Sequence, residues 1–240
     1  MKKIYKSNIK DRMSIIEHLE ELRTRLFYAF IIFCITTIVC LAYTKNISFI
    51  IEKPALGIKF LQLAPGEYIF VSIKMSLYLG IIFSSPFFLY QIIIFILPGL
   101  TKKEALYVIP TLLGSIILFF TGIFFSYKIL IPAALKFLVS YGSDIVEPIW
   151  SFEEYFNFIS LLSFSTGIAF QIPIIQILLG LFKVLTSNKM LQYWKYVVFI
   201  STIISAILTP STDPITQIFM SFAILILYFS GIFILKTLQK

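Results

Sequence analysis

The chain is poor in charge and nearly devoid of histidine. Only 13% of its 240 residues are charged, about half the ~25% usual in soluble domains. The single His, His18, excludes a multi-histidine metal site, and no metal or cofactor is expected. Two cysteines, Cys34 and Cys40, lie six apart in one apolar run and read as lipid- or bundle-facing side chains rather than a disulfide. There is no phosphate-cradling glycine loop, no zinc-helix motif and no Ser/His pair inside an apolar run. A nucleotide-driven pump and an intramembrane protease are therefore poorly supported. The apolar runs also lack Asp, Glu and Arg away from their ends, which weighs against a carrier with a carboxylate relay. Catalytic residues are expected to be absent, and the chain reads as non-enzymatic.

What is present is apolar. Hydrophobic residues make up 59% of the chain and aromatics 17%, with 26 Phe and 13 Tyr, and the mean hydropathy is +0.94. Such a chain cannot cover its own apolar surface, so lipid must be its solvent. Six continuous apolar runs, at about 26–43, 68–97, 107–127, 155–182, 196–208 and 215–235, predict an all-α integral membrane protein formed as one domain over residues 1–240. Continuity instead of alternation excludes a transmembrane barrel. The fifth run is short: its 13 residues reach about 20 Å at ~1.5 Å each, against a hydrocarbon core of ~30 Å. It must thin the bilayer, hide behind neighbours or form a buried half-span.

The formal charge of +8 could suggest nucleic acid. In a membrane protein it more naturally marks cytoplasmic loops. The segments 1–25, 98–106, 183–195 and 236–240 carry 14 of the 20 Lys and Arg; those at 44–67, 128–154 and 209–214 carry 5, and Lys74 completes the set. This asymmetry predicts that both termini face the cytoplasmic-equivalent side. The stretch 131–141, in an outer loop, reads as an interfacial helix under the outer rim of the bundle. Lys74 reads as a snorkelling side chain.

Polar residues concentrate at the charged entry. Glu17-His18-Leu19-Glu20-Glu21-Leu22-Arg23-Thr24-Arg25 places carboxylates and guanidiniums at helical spacing ahead of the first run. Read plainly, this is an interfacial helix whose arginines anchor the topology; read functionally, it is an acidic receptor surface. Glu104, in the next inner loop, is either a solvated charge or, if it converges with Glu21, half of an anionic patch for a basic ligand. Within the fourth run, Gln171 lies about 18 Å from the inner end, with Pro173 just beyond. It suits either a helix-bonding amide or a polar contact for a laterally entering ligand. Thr209 and Gln217, flanking the last outer turn, allow the same two readings.

Four stretches in order carry a family resemblance. His18-Leu-Glu-Glu-Leu-Arg-Thr-Arg-Leu26 resembles the N-terminal signature of TatC, the multispanning receptor of the twin-arginine protein translocase. Ser85-Pro-Phe-Phe-Leu-Tyr-Gln91 with Pro98-Gly-Leu-Thr-Lys-Lys-Glu104, Phe164-Ser-Thr-Gly-Ile-Ala-Phe-Gln-Ile-Pro173 and Leu208-Thr-Pro-Ser-Thr-Asp-Pro214 resemble three further family segments. The resemblance implies six helices in a cupped bundle with both termini on the cytoplasmic or stromal side. It implies a subunit that binds twin-arginine signal peptides and exports folded proteins on the proton gradient, with single-span TatA/TatB-type partners, as a homo-oligomer within a receptor complex. Carried over, the signal-peptide residues are Glu21 and Glu104, with Arg23 positioning the surface, Phe95 on the same face and Gln171 within the membrane. Thr209 and Gln217 match the partner-subunit site. Many family members carry Glu where this chain has Gln171, so a mechanism that titrates a mid-membrane acid cannot run through it. Leu63-Ala-Pro-Gly-Glu67 and Leu130-Ile-Pro-Ala-Ala-Leu-Lys-Phe137 look most like the cyanobacterial and plastid branch, which points to a thylakoid membrane first and a bacterial inner membrane second. A six-span small-solute carrier is the alternative; it predicts a charge-lined cavity and often an internal repeat.

Overall fold

The computed structural model describes residues 15–55, 57–96, 102–142, 149–182, 184–209 and 213–238, giving the backbone alone at 15, 96, 102–108, 142 and 238. The apolar runs form helices, because in lipid every backbone polar group must be bonded within its own segment. Helix α1 (Ile15–Ala42) is followed by α2 (Thr44–Glu52), the strand β1 (Lys59–Leu61) and α3 (Glu67–Ile96). Helix α4 (Lys102–Phe125) passes through a π-helical turn, Ser126–Leu130, into α5 (Ile131–Gly142). Then come β2 (Ile149–Ser151), α6 (Phe152–Ala169), α7 (Ile172–Leu181), α8 (Ser187–Gln192), α9 (Trp194–Leu208) and α10 (Pro214–Leu238). Among the described residues, five helical segments are long and apolar enough to cross a membrane, and Trp194–Leu208 is a shorter sixth.

Helix α1 lies along α3, and the contact is close because Gly80 has no side chain. A Cβ there would collide with Thr37 Oγ1, and the Gly80 carbonyl accepts a bond from Thr36 Oγ1 at 3.2 Å. Small residues admitting backbone contact are the usual adhesive between helices in lipid. The remainder of α1 faces outward, with Phe27, Phe30, Ile35 and Ile38 exposed. Segment α6–α7 is instead the centre of the bundle: it packs on α3, α4 and α10, and Tyr155, Phe156, Ile159 and Leu162 join Met75 and Met220 in the core.

Two expectations change. The fourth run does not form one helix: α6 stops at Ala169 and α7 starts at Ile172. Pro173 explains the break, since it lacks the amide hydrogen that would bond to the Ala169 carbonyl. The stretch 131–141 is not a surface helix under the rim. The π-turn carries α4 directly into α5, whose Ile131, Ala134 and Leu135 are buried in the core.

At the end of the bundle where α3 begins, β1 and β2 pair in parallel, Lys59 with Ile149 through Leu61 with Ser151. Glu67 fastens this corner. Its Oε2 accepts from the amides of Leu63 (2.6 Å) and Ala64 (3.1 Å), and its Oε1 from Ser151 Oγ (2.8 Å) and the Glu153 amide (3.3 Å). Gly66, at φ +82°, supplies the left-handed turn that brings the 63–64 amides back to Glu67. Lys74, expected to snorkel, reaches this corner and pairs with Glu153.

Candidate functional site

The opposite end of α1 and α3 carries a groove. On α1, positions 17, 20, 21, 24 and 28 recur at three- and four-residue intervals, so they share one face. That face meets Tyr90, Gln91 and Ile94 of α3 across a groove of about 560 Å³. Glu21 is its centre. Arg25, one turn on, donates from Nε to Glu21 Oε1 at 2.9 Å, and its Nη2 donates to the same oxygen. Arg25 Nη1 also reaches Gln91 Oε1 at 3.4 Å, so one guanidinium joins the two helices. Glu21 lies on the charged N-terminal part of α1, ahead of its most apolar stretch.

The two oxygens of Glu21 are not equivalent. Oε2 is buried and has no hydrogen-bond partner among the described residues. His18 Nδ1 lies 3.6 Å from it, beyond hydrogen-bond length. The His18 ring is stacked on Phe95, with ring centroids 4.1 Å apart and planes 10° from parallel. The site thus combines an acidic face, an aromatic plate and an anionic oxygen with unused accepting capacity. Planar cations with several N–H donors fit that combination best.

The expected residues divide as follows. Glu21 and Phe95 come together through His18. Arg23 is exposed, about 200° round α1 from Glu21, and Arg25 is the arginine that engages the carboxylate. Glu104 falls in the first turn of α4, but its side chain, and therefore its convergence with Glu21, lies outside the described residues, as does the segment 97–101. Gln171 sits at the α6–α7 break, where its Nε2 donates to the Ser115 carbonyl at 3.1 Å and its Oε1 accepts from Ser115 Oγ at 2.5 Å. Thr209 and Gln217 meet through Ser205, which is fully buried. Thr209 Oγ1 donates to the Ser205 carbonyl at 2.9 Å, while Ser205 Oγ donates to the Gln217 carbonyl at 2.5 Å. Asp213, in the same turn, accepts the Thr216 amide at 2.9 Å and caps α10 ahead of Pro214; residues 210–212 lie outside the described part.

Sequence reasoning missed Arg25, Gln91 and Ser205, and gave His18 no partner. The i,i+4 spacing of Glu21 and Arg25 was a usable signal for the first. The partners on α3 carried none, being more than sixty residues distant.

Between α2, α3, α4 and α6 lies a separate hollow of about 830 Å³, lined by apolar and aromatic side chains such as Phe83, Phe120 and Phe124 and sharing no lining residue with the groove. It lacks the charged lining that a solute carrier requires.

The fold has close relatives. A crystal structure of the twin-arginine translocase receptor TatC superposes with a TM-score of 0.78 at 36% identity, over 93% of this chain and 100% of that one. The tatC-like protein ycf43 of Gracilaria tenuistipitata var. liui is 66% identical over 233 residues, 97% of this chain and 98% of its own. The chloroplastic Sec-independent protein translocase protein TATC of Oryza sativa subsp. japonica is 47% identical over 93% of this chain and 63% of its own length. A six-helix bundle sharing its course with a translocase receptor is a multi-span membrane protein of the protein-transport class. The family model described as Sec-independent protein translocase protein (TatC) matches residues 17–222. The chain belongs to the TatC family of Sec-independent protein translocase proteins.

Proposed function

We propose that this chain is the receptor subunit of a twin-arginine translocase, binding the paired arginines of signal peptides at the groove between α1 and α3. The observation that carries the reading is the buried Oε2 of Glu21, an anionic acceptor without a hydrogen-bond donor among the described residues, beside an aromatic plate. Paired guanidiniums offer planar forks of N–H donors that lysine cannot reproduce, so carboxylates in such a setting select arginine. Glu104 supplies the second carboxylate from the first turn of α4, and Arg23 positions the surface on the same stromal or cytoplasmic side.

In this reading both termini face the stroma or cytoplasm, as the lysine asymmetry requires. The apolar part of the signal peptide enters the hollow beside α4 and α6, near Gln171. Single-span TatA/TatB-type subunits dock along Thr209 and Gln217, where the short α9 thins the bilayer. Copies of the chain assemble within a receptor complex, and transport of folded cargo draws on the proton gradient. The membrane is a thylakoid, with a bacterial inner membrane as the alternative.

The test compares a twin-arginine signal peptide with its twin-lysine counterpart on the purified chain in lipid nanodiscs. We expect clear preference for the arginine form, abolished in Glu104→Lys with the helical spectrum unchanged. Equal binding of the two peptides by folded wild-type protein, or full binding by Glu104→Lys, would overturn the assignment.

A further inference from the structure

Glu21 presents two berths for a cation, and the chain already occupies both unequally. Arg25 fills Oε1 with two N–H donors. At Oε2 stands His18, with its face on Phe95 at 4.1 Å and its Nδ1 turned to the carboxylate at 3.6 Å. The imidazole contact is too long for a hydrogen bond, and the oxygen it faces is buried with no hydrogen bond among the described residues. The ring is also half open to solvent, its side chain 40% exposed. It therefore holds the place without satisfying it.

A flat ring bearing N–H groups, laid on an aromatic and edged toward a carboxylate, is the pose a ligand guanidinium would take. Guanidinium stacks on aromatic faces as imidazole does, but carries a permanent charge and a fork of donors long enough to close the remaining gap. An ammonium has no face to stack. We propose that His18 is a resident placeholder in the subsite for one ligand arginine: that arginine displaces the imidazole, stacks on Phe95 and donates to Glu21 Oε2, while Arg25 stays on Oε1. This deepens the receptor reading and rests on it. His18 then sets the affinity threshold, and Phe95 provides the discrimination between arginine and lysine. Because the binding-competent state is the one with His18 swung away, apparent affinity is lowered by the fraction of time it is in place.

The experiment uses the full chain, without a histidine tag, in nanodiscs. His18 is the sole histidine, so selective labelling yields one ring resonance, shifted by the Phe95 ring current. Saturation with the twin-arginine peptide should move that resonance toward its value in an unstructured peptide, and the twin-lysine peptide should leave it in place. His18→Ala should tighten the arginine peptide by about three- to tenfold, which corresponds to a resident fraction of roughly 0.7–0.9. Phe95→Leu should bring the two peptides to within about twofold of each other. An unmoved resonance at saturating arginine peptide, or unchanged or weaker binding in a His18→Ala protein with wild-type melting, overturns the placeholder. If wild type still prefers arginine, the receptor reading survives that outcome; if wild type shows no preference, both fall.

Discussion

Glu21 and Glu67 stand at opposite ends of the α1–α3 pair, and both are acids at the margin of an apolar helix. Their surroundings differ in one respect. Glu67 has every accepting direction used: two donors on each oxygen, from the 63–64 turn on one side and from Ser151 and Glu153 on the other. Glu21 has one oxygen accepting two bonds from Arg25, while the other is buried, faces His18 and accepts no hydrogen bond among the described residues. A saturated carboxylate joins parts of its own chain and has nothing left to offer a ligand. A half-saturated one is held in place by its first oxygen and stays receptive through its second. The comparison separates a structural acid from a binding acid by counting donors, without reference to which of them the sequence makes conspicuous.

Exchanging the two losses should produce opposite phenotypes. Glu21→Ala is expected to weaken the twin-arginine peptide by about thirtyfold or more, the cost of removing one partner of a desolvated charge pair, with melting nearly unchanged. Glu67→Ala is expected to lower the melting temperature by about 5–10 °C, with the arginine-to-lysine preference intact in the protein that remains folded. Peptide titration and a melting curve on both variants decide it; a shared phenotype would erase the distinction.

Gln171 extends the comparison into the membrane. It is tied to a neighbouring helix, exchanging two bonds with Ser115 through one N–H and one lone pair. Gln171→Ala should cost stability of about 0.6–2 kcal/mol, the range for helix-to-helix polar contacts in lipid, and leave peptide selectivity alone. A loss of selectivity in that variant would show that the amide also serves the ligand. The smallest effect is expected at Lys74. Its pairing with Glu153 is largely exposed, and such pairs contribute about 0–1 kcal/mol. Lys74→Gln should move the melting temperature by no more than about 2 °C, which would assign the strength of that corner to Glu67.

Much of this was legible in the sequence. Apolar runs alone gave six helices in order, and the length of the fifth anticipated the 15-residue α9. The break at Ala169 was in principle readable, since Pro173 lies four residues beyond it, yet unbroken hydrophobicity hid it. The burial of α5 was not readable, because its amphipathic pattern suits a lipid surface and a core equally. At the site, Glu21 was a candidate from the charged entry segment itself and Phe95 came from the family resemblance, whereas Arg25 was available from helical spacing. The stacking of His18 on Phe95 and the four donors of Glu67 depend on chain crossings that local pattern does not encode.

The parallel pairing of β1 with β2 also has a consequence for the order of assembly. Lys59 and Ile149 are ninety residues apart in the chain, with α3, α4 and α5 between them. Closing so long a loop is entropically unfavourable until those helices have inserted and packed. The corner therefore forms late, when residues 149–153 arrive. A nascent chain that stops short of them leaves Glu67 with only the two amides of its own turn, so the corner registers whether the first half of the bundle has been completed.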